Sequence, residues 1–312
     1  MKRAIGLDLG GTFIKVGLVQ ETGEIIKKAQ FPTKADEGKK ETVIQQMKNA
    51  VSSVWEQGIN GIGIGTPGVV DNEGVVFEAP NLPGWNNLQL KKIFEERFKV
   101  PVVVENDVNS ITWGEYLFGA GKGCRTIICL TLGTGVGGGM VIHGKLFRGA
   151  KYSAAELGHI SIDYKGPRCK CGSIGCVERF VGRDYIIERA VHEIREGKET
   201  LIYQLASQKI ENITPKIISE AYKKGDKIAG DIWIDVGICL GAMLASLVNA
   251  INPDRIVIGG GISHAGEILF ETIKKTIKER SFRVLSENVE VVPAELSIDA
   301  GIISGAALIF QS

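Results

Sequence analysis

The hydrophobic pattern at the start of the chain predicts a β-hairpin. Two runs rich in Ile, Leu and Val, residues 3–9 and 12–20, flank the glycine pair Gly10-Gly11. Such runs are typical of strands, and glycines between them are typical of a tight turn. A third strand is expected from Ile25 toward Phe31. The opening of the chain therefore predicts a small sheet.

The same plan recurs roughly 125 residues later. Residues 126–132 and 136–142 are strand-like, and Gly133-Thr134-Gly135 lies between them. Two strand-glycine-strand units indicate an internal duplication. Such turns expose backbone N–H groups that bind phosphate oxygens, although each turn also fits an ordinary hairpin.

The glycine spacing does not indicate a dinucleotide fold or a P-loop. Residues 63–68 and 133–138 both match G-x-G-x-x-G. That fingerprint requires a helix directly after the glycines, and strand-like residues follow both segments. Residues 121–123 (Gly-Lys-Gly) lack the rest of a P-loop. The loop that ends at Gly68 is therefore interpreted as one that approaches a ligand closely.

Helical periodicity identifies segments of the core. One group of apolar residues recurs at helical spacing: Val43, Met47, Val51 and Val54. This spacing predicts one buried helix face. A long helix is predicted over 226–251, and its longest apolar run, 236–248, is shorter than the roughly twenty residues of a membrane span. A last helix, 299–310, is expected to pack on the N-terminal half.

Two strand-like runs end in residues suited to ligands. Residues 100–104 lead into 105–107 (Glu-Asn-Asp), and residues 255–258 lead into the glycines 259–261. Open α/β sheets place ligands at the carboxyl ends of their strands. The first group suits a polar ligand and the second a nucleotide base or ribose. Asp107 also fits the N-cap of the next helix.

The charge balance argues against two classes of partner. Lys and Arg number 37 against 36 Asp and Glu, so no field attracts nucleic acid or an anionic membrane. A small molecule is the expected partner. The 312 residues predict two domains. Because the chain opens with a strand and not a signal peptide, a cytoplasmic, reducing setting is expected.

The segment between Glu156 and Glu178 carries a metal-binding pattern. It contains one imidazole and three thiols: His159, Cys169, Cys171 and Cys176. Four such donors complete a tetrahedral structural zinc site, whereas a catalytic zinc keeps one position for water. A single cysteine here would suit a small buried side chain, but three so close together favour metal. A structural zinc is therefore predicted, and folding around it would set both flanking carboxylates.

Polar groups beside two turns are further candidates. Asp8 precedes the first glycine turn, and Thr12 and Lys15 follow it. The carboxylate suits a hydrated metal ion, and the hydroxyl and ammonium groups suit phosphate oxygens. Asn81 lies between two prolines, where a stiff loop orients its amide, although a plain turn fits as well.

In chain order, these motifs resemble the ROK family of sugar kinases. The motifs are Leu7-Asp8-Leu9-Gly10-Gly11-Thr12 with Lys15, Glu105-Asn106-Asp107, Leu132-Gly133-Thr134-Gly135, Glu156-Leu157-Gly158-His159, the loop from Cys169 to Glu178, and Gly259-Gly260-Gly261. The glycine turns are weak signals. The pattern Cys-x-Cys-Gly-x-x-Gly-Cys-x-Glu after Glu-x-Gly-His is specific. The resemblance covers essentially the whole chain and is closest to the family's bacterial-type glucokinases.

The resemblance implies an α/β fold of the actin-like ATPase (ribonuclease H-like) type, with two lobes and an active-site cleft between them. The small lobe would comprise residues 1–118 plus 299–312, and the large lobe 119–298 with the zinc loop. Kinases of this family commonly associate, so a homodimer or higher homo-oligomer is expected.

The resemblance also implies ATP-dependent phosphorylation of glucose to glucose 6-phosphate, with Mg²⁺ near Asp8. The ATP contacts would be Asp8, Gly10, Gly11, Thr12, Lys15, Gly133, Thr134, Gly135, Gly259, Gly260 and Gly261. The sugar contacts would be Gly68, Asn81, Asn106, Asp107, Glu156, His159 and Glu178. A sugar hydroxyl is a poor nucleophile, and Asp107 is the candidate base that takes its proton.

Two alternatives stay open at this point. A ROK kinase for fructose, mannose or an N-acylhexosamine would share most of these motifs. A sugar-responsive repressor of the same family would carry an N-terminal DNA-binding domain, whereas the first strand is expected here by residue 3.

Overall fold

The computed structural model describes residues 1–79, 82 and 84–310. The chain forms two compact units. Unit 1 comprises Met1–Cys124, Gly139–Ala155 and Ala294–Ser312, and unit 2 comprises Arg125–Gly138 and Glu156–Pro293.

Unit 1 is built on a mixed sheet with helices. Its elements up to residue 118 are β1 (Arg3–Leu9), β2 (Phe13–Gln20), β3 (Ile25–Pro32), α1 (Lys40–Ser53), β4 (Ile62–Thr66), β5 (Val69–Val70), β6 (Val76–Glu78), β7 (Asn86–Leu88), α2 (Leu90–Phe98), β8 (Val102–Asn106) and α3 (Asp107–Phe118). The predicted opening hairpin, third strand and first helix are confirmed. The short strand β7 was not predicted.

The main sheet of unit 1 has the strand order β3-β2-β1-β4-β8. The strand β1 is antiparallel to β2 and parallel to β4, and β4 is parallel to β8. The carboxyl ends of β1, β4 and β8 therefore lie at the same edge of the sheet. This edge carries the predicted polar residues that follow β1 and β8.

The remaining elements follow in chain order. They are β9 (Ile127–Leu132), β10 (Val136–Ile142), β11 (Lys145–Leu146), α4 (Glu178–Val181), α5 (Arg183–Arg195), α6 (Leu201–Leu205), α7 (Pro215–Lys223), α8 (Lys227–Ile251), β12 (Arg255–Gly259), α9 (Glu267–Arg280), α10 (Arg283–Ser286), β13 (Glu290–Pro293) and α11 (Ala300–Phe310). The second glycine hairpin, the long helix and the last helix are confirmed.

The second large sheet repeats the plan of the first. Its order is β11-β10-β9-β12-β13, with β12 parallel to both β9 and β13. In each sheet, three strands that follow one another in the chain lie side by side. Two later strands, parallel to the first of these three, complete the sheet. This shared order supports the internal duplication indicated by the two glycine hairpins.

The unit boundaries differ from the predicted lobes at three segments, because residues 119–124, 139–155 and 294–298 all group with unit 1. Gly139–Ala155 groups with unit 1, whereas the prediction placed it in the lobe 119–298. The physical reason is packing against α3, because a Cβ on Gly139 would overlap the side chain of Thr112. This segment also leads directly into Glu156.

The last helix closes unit 1, as predicted. Glycines allow α11 to lie directly on the sheet, because a Cβ on Gly6 would overlap the carbonyl oxygen of Ile302, and one on Gly63 would overlap that of Gly305. Ile302 itself is only 2% exposed. The helix thus stabilises β1 and β4, the two strands that support the first glycine turn and the Gly68 loop.

The long apolar helix α8 is a core helix of unit 2. By length and composition alone it is long enough to cross a membrane. It packs instead along α9, where Gly237 fits against Thr272 and Gly241 against Thr276. Trp233 and eleven other residues of α8 are buried. These contacts agree with the predicted buried helix.

Candidate functional site

The sheet edge of unit 1 brings Asp8 and the end of β8 together. Asp8 pairs with Gly65 of β4, and Gly65 pairs with Glu105 of β8. The next residues, Asn106 and Asp107, therefore follow at the same edge. The negative charge of Asp8 is one of the influences on the pKa of Asp107, which places the two carboxylates within electrostatic reach.

Asn106, and not Asp107, is the N-cap of α3. Its side-chain oxygen accepts hydrogen bonds from the backbone N–H groups of Val108 at 3.0 Å and Asn109 at 3.1 Å. Its amide nitrogen donates to the carbonyl oxygen of Gly68 at 3.0 Å. The alternative that made Asp107 the cap is therefore wrong, because the helix already includes Asp107. The Asn106 side chain also hydrogen-bonds to the carboxyl of Asp107 and lowers its pKa.

Asp107 is the first residue of α3 and is partly buried. One carboxylate oxygen accepts from the N–H of Val108 at 2.9 Å. Burial is the largest influence and raises the pKa of Asp107, and the nearby charge of Asp8 also raises it. Hydrogen bonds from the N–H of Val108 and from the side chain of Asn106 lower it, and the net pKa is about 6. The N–H of Val108 engages only one of the two carboxylate oxygens. Such a group is ionised at neutral pH yet basic enough to take a proton.

Asp8 has the properties of a ligand for a hydrated cation. Burial raises the pKa of Asp8, and the ammonium of Lys15, its neighbour on β2, lowers it. Lys15 also donates to the carbonyl oxygen of Ile298 at 3.2 Å. Gly301 of α11 lies against the carboxylate, which forms no hydrogen bond in the part of the chain that the structure describes. An unbonded carboxylate fits a hydrated Mg²⁺.

Both glycine turns present open backbone. The first turn is closed by a hydrogen bond from the N–H of Gly10 to Phe13 at 3.0 Å, and the second by one from Gly133 to Gly135 at 2.9 Å. A Cβ on Gly11 or Gly133 would meet no atom within 4 Å. Thr12 and Thr134 are exposed. The outer faces of the turns are therefore accessible to a ligand.

The glycines 259–261 lie beside the second turn, in unit 2. Gly259 pairs with Thr131 of the parallel neighbour β9. Gly260 has φ of 88°, and a Cβ there would overlap the backbone of Leu132. A 3-10 turn over Gly261–Ala265 follows these glycines, and the next helix, α9, begins at Glu267. The glycines 259–261 and the turn 133–135 therefore lie side by side, and both expose glycine backbone.

The predicted metal ligands converge in unit 2. The donor atoms of His159, Cys169, Cys171 and Cys176 all lie within 4.8 Å of one another. Cys171 Sγ is 3.7 Å from Cys176 Sγ, and Cys169 Sγ is 3.8 Å from Nδ1 of His159. A tetrahedron with metal–sulfur bonds of about 2.3 Å has edges of about 3.8 Å. The donor set and its spacing therefore fit zinc.

The loop between the ligands is held by its own backbone. Cys169 donates its N–H to Ser173 at 2.8 Å and accepts one from Gly172 at 3.0 Å. Gly175 has φ of 69°, and a Cβ there would overlap the carbonyl oxygen of Asp163. A glycine is required at this position, because any side chain would push the loop apart.

His159 directs Nδ1 toward the thiols, so Nε2 remains for another partner. The preceding Glu156 is exposed and its carboxylate forms no hydrogen bond among the described residues. Gly158, between them, lies against the carbonyl oxygen of Val136. Glu156 and Nε2 of His159 are therefore both available to a ligand.

Glu178 contacts the start of β10 within unit 2. One of its oxygens accepts from the N–H of Val136 at 2.9 Å, and a Cβ on Gly135 would overlap the carboxylate. The backbone N–H of Arg183 also donates to the carbonyl oxygen of Gly133 at 3.0 Å. The segment after the cysteines thus supports the second glycine turn, a role that the sequence did not predict.

Gly68, another predicted sugar contact, lies on the loop after β4. Gly68 has φ of 98°, and a Cβ there would overlap the carbonyl oxygen of Glu78. The carbonyl oxygen of Gly68 accepts the hydrogen bond from the Asn106 amide. Asn81 lies outside the described residues.

A second buried contact near Asp107 was missed by the sequence reasoning. Glu105, which is 3% exposed, binds the guanidinium of Arg148, with 2.5 Å between Oε2 and Nε. Glu105 is the first residue of the motif Glu105-Asn106-Asp107, but its position in the sequence predicts no role for it. Arg148 carries no local signal, because its partner is 43 residues away in the chain.

The duplicated sheets and open glycine turns define the class of this protein, an α/β protein of the actin-like ATPase type. The chain belongs to the ROK family, whose model matches residues 4–312.

Relatives of the chain include proteins named as kinases and as repressors. A glucokinase of Thermotoga maritima is 39% identical over 309 residues, 98% of this chain and 97% of the relative. The crystal structure of a ROK family glucokinase from Streptomyces griseus in complex with glucose and AMPPNP is 36% identical with a TM-score of 0.84, covering 99% of this chain and 100% of that chain. A xylose repressor of Caldicellulosiruptor bescii is 32% identical over 98% of this chain and 78% of the repressor.

Proposed function

We propose that the protein is an ATP-dependent glucokinase that converts glucose to glucose 6-phosphate. The observation that carries the proposal is Asp107, a carboxylate with a pKa of about 6 and one oxygen that does not accept from Val108, beside the unbonded carboxylate of Asp8. The match to 97% of the length of the Thermotoga maritima glucokinase supports it.

The donor is ATP, held by bare backbone. The turns at Gly10-Gly11-Thr12 and Gly133-Thr134-Gly135 offer N–H groups and hydroxyls to phosphate oxygens. The glycines 259–261 leave room for the nucleoside. Asp8 binds a hydrated Mg²⁺, which supplies charge neutralisation at the phosphates when bound. Lys15, next to Asp8, adds a second positive charge near the first turn.

The sugar is bound by polar groups of both units. In unit 1 these are the Asn106 amide, the oxygen of Asp107 that does not accept from Val108 and the backbone near Gly68; Asn81 is proposed with them. In unit 2 they are Glu156, Nε2 of His159 and the second oxygen of Glu178. Carboxylates and amides fix hydroxyl directions, so a wrong epimer leaves buried polar groups unpaired.

In the reaction, the 6-hydroxyl oxygen of glucose bonds to the γ-phosphorus of ATP as the bond to the ADP oxygen breaks. The hydroxyl proton passes to the oxygen of Asp107 that does not accept from Val108. The hydrogen bond from Val108 holds the other oxygen, so the carboxylate keeps one orientation. Such proton transfer contributes typically about 10² to 10⁴ in rate.

A structural zinc is bound by His159, Cys169, Cys171 and Cys176. Its four ligands are all supplied by the protein, so no position is left for water. The protein is proposed to act in the cytoplasm, where cysteines stay reduced and available to metal. Association into a homodimer is part of the same proposal.

The test is a coupled ATP assay with the purified protein across glucose, mannose, fructose, N-acetylglucosamine and N-acetylmannosamine. We expect the highest kcat/KM with glucose. A higher kcat/KM with another hexose would replace the substrate but keep the kinase class. No hexose-dependent ADP formation with any of them would contradict the proposal and favour a regulatory role.

A further inference from the structure

The carboxylate of Glu105 is buried directly beneath the proposed site. One oxygen accepts from the backbone N–H of Asn106 at 3.0 Å and from the side-chain amide of Asn109 at 3.2 Å. The other is bound to Arg148. Because the side chain of Glu105 is only 4% exposed, water cannot replace these partners, and Arg148 supplies its only positive charge among the described ion pairs.

Arg148 lies on the segment Gly139–Ala155, which belongs to unit 1 and is held by its own backbone hydrogen bonds. Its carbonyl oxygen accepts from the N–H of Ala154 at 3.2 Å, and the neighbouring Phe147 donates to Met140 at 2.8 Å. The segment Gly139–Ala155 ends where Glu156 begins. The Glu105–Arg148 pair therefore joins the strand end that carries Asp107 to the segment that leads into Glu156.

We propose that Arg148 is a positioning residue for phosphoryl transfer, which acts through Glu105 to fix the places of Asn106 and Asp107. The inference rests on the proposed function, because it assigns Asp107 as the base. Arg148 does not touch the reacting atoms. It holds Glu105, Glu105 holds the N–H of Asn106, and Asn106 in turn caps α3 and binds Gly68.

Loss of the guanidinium leaves a buried carboxylate without its counter-charge. Such a group is costly to keep buried, so Glu105 would rotate toward water and release Asn106 and Asn109. The cap of α3 and the contact to Gly68 would then loosen together. A misplacement of about 1 Å can cost about a hundredfold in rate. The effect would fall on kcat, because Asp107 acts in the chemical step.

The test compares Arg148→Met, Arg148→Lys and a matched control, Arg3→Met. Arg3 also forms an ion pair in unit 1, with Glu56, and its side chain is 35% exposed against 32% for Arg148. We expect Arg148→Met to lower kcat at saturating glucose by about ten- to a hundredfold, Arg148→Lys to recover most of it, and Arg3→Met to change it less than about twofold. A kcat of Arg148→Met within about twofold of the wild type would overturn the inference.

Two further readouts separate positioning from general damage. In an Asp107→Asn background, Arg148→Met should lower kcat by less than about twofold, because its effect passes through Asp107. A full additional loss there would contradict the inference. Crystal structures of the wild type and Arg148→Met should show the Asn106–Gly68 hydrogen bond broken in the variant only; an intact bond would also overturn it. This last readout holds even if the wild type has no activity on glucose, which would count against the proposed function alone.

Discussion

The polar groups proposed to contact the sugar are fixed in different ways in the two units. In unit 1, Asn106 and Asp107 lie at the junction of β8 and α3, where the sheet register and the helix start set their places. In unit 2, His159 ends a short 3-10 turn whose N-cap is Glu156, and the cysteines that follow form a loop with little regular structure. This unit 2 segment has four metal donors within 4.8 Å of one another.

This difference predicts how each unit responds to the loss of a ligand. A residue on a sheet edge tolerates loss of a distant ligand, because its neighbours in the strand keep their hydrogen bonds. A loop ordered by a metal loses its geometry when the metal leaves.

Replacing the base gives the largest effect. Asp107→Asn keeps the size of the side chain and the acceptor for Val108 but removes the proton acceptor for the sugar. We expect kcat to fall at least about a hundredfold while glucose Kd, measured by calorimetry, changes little. Near-normal turnover would remove Asp107 from the role of base.

The next largest effect on activity is expected from a substitution in the metal cluster of unit 2. Cys171→Ser should lose zinc, measured by elemental analysis, and raise glucose KM by about ten- to a hundredfold. Cys239→Ser is the matched control, because Cys239 lies on α8 outside the cluster and burial raises the pKa of its thiol to about 11. Zinc loss with an unchanged KM would mean that the cluster does not organise the sugar residues.

The pH dependence tests unit 1 alone. The pKa of Asp107 is raised to about 6, and the base must be ionised to accept a proton. At about pH 5 roughly nine-tenths of Asp107 is protonated, so kcat/KM should fall about tenfold from its plateau near neutral pH. Asp107→Asn should lose this acidic limb. An acidic limb that persists unchanged in the variant would assign it to another group.

A smaller effect tests the contact between Glu178 and the second glycine turn. Glu178→Ala removes the acceptor for the N–H of Val136 and should weaken AMPPNP binding without sugar about fivefold, by fluorescence or calorimetry. Glu178→Gln keeps an acceptor and should bind AMPPNP nearly as the wild type does. Equal affinities in all three proteins would show that Glu178 does not support the turn.

The sequence predicted those features that depend on local pattern. Strand and helix periods placed both hairpins and α8, and close spacing of three cysteines placed the metal cluster. The sequence could not show that Asn106, and not Asp107, is the N-cap of α3. Both residue types suit an N-cap, and only the backbone angles distinguish them. The bonds from Glu105 to Arg148 and from Glu178 to Val136 join residues more than 40 positions apart, so no local pattern reports them.

The comparison between the units is tested most directly by amide hydrogen exchange on the zinc-loaded and zinc-free wild-type protein. We predict that zinc removal lowers the protection of residues 156–178 and leaves residues 105–112, at the end of β8 and in α3, unchanged. Equal protection of residues 156–178 in both forms, or an equal loss in both regions, would contradict the claim that metal orders the unit 2 segment and secondary structure orders the unit 1 segment.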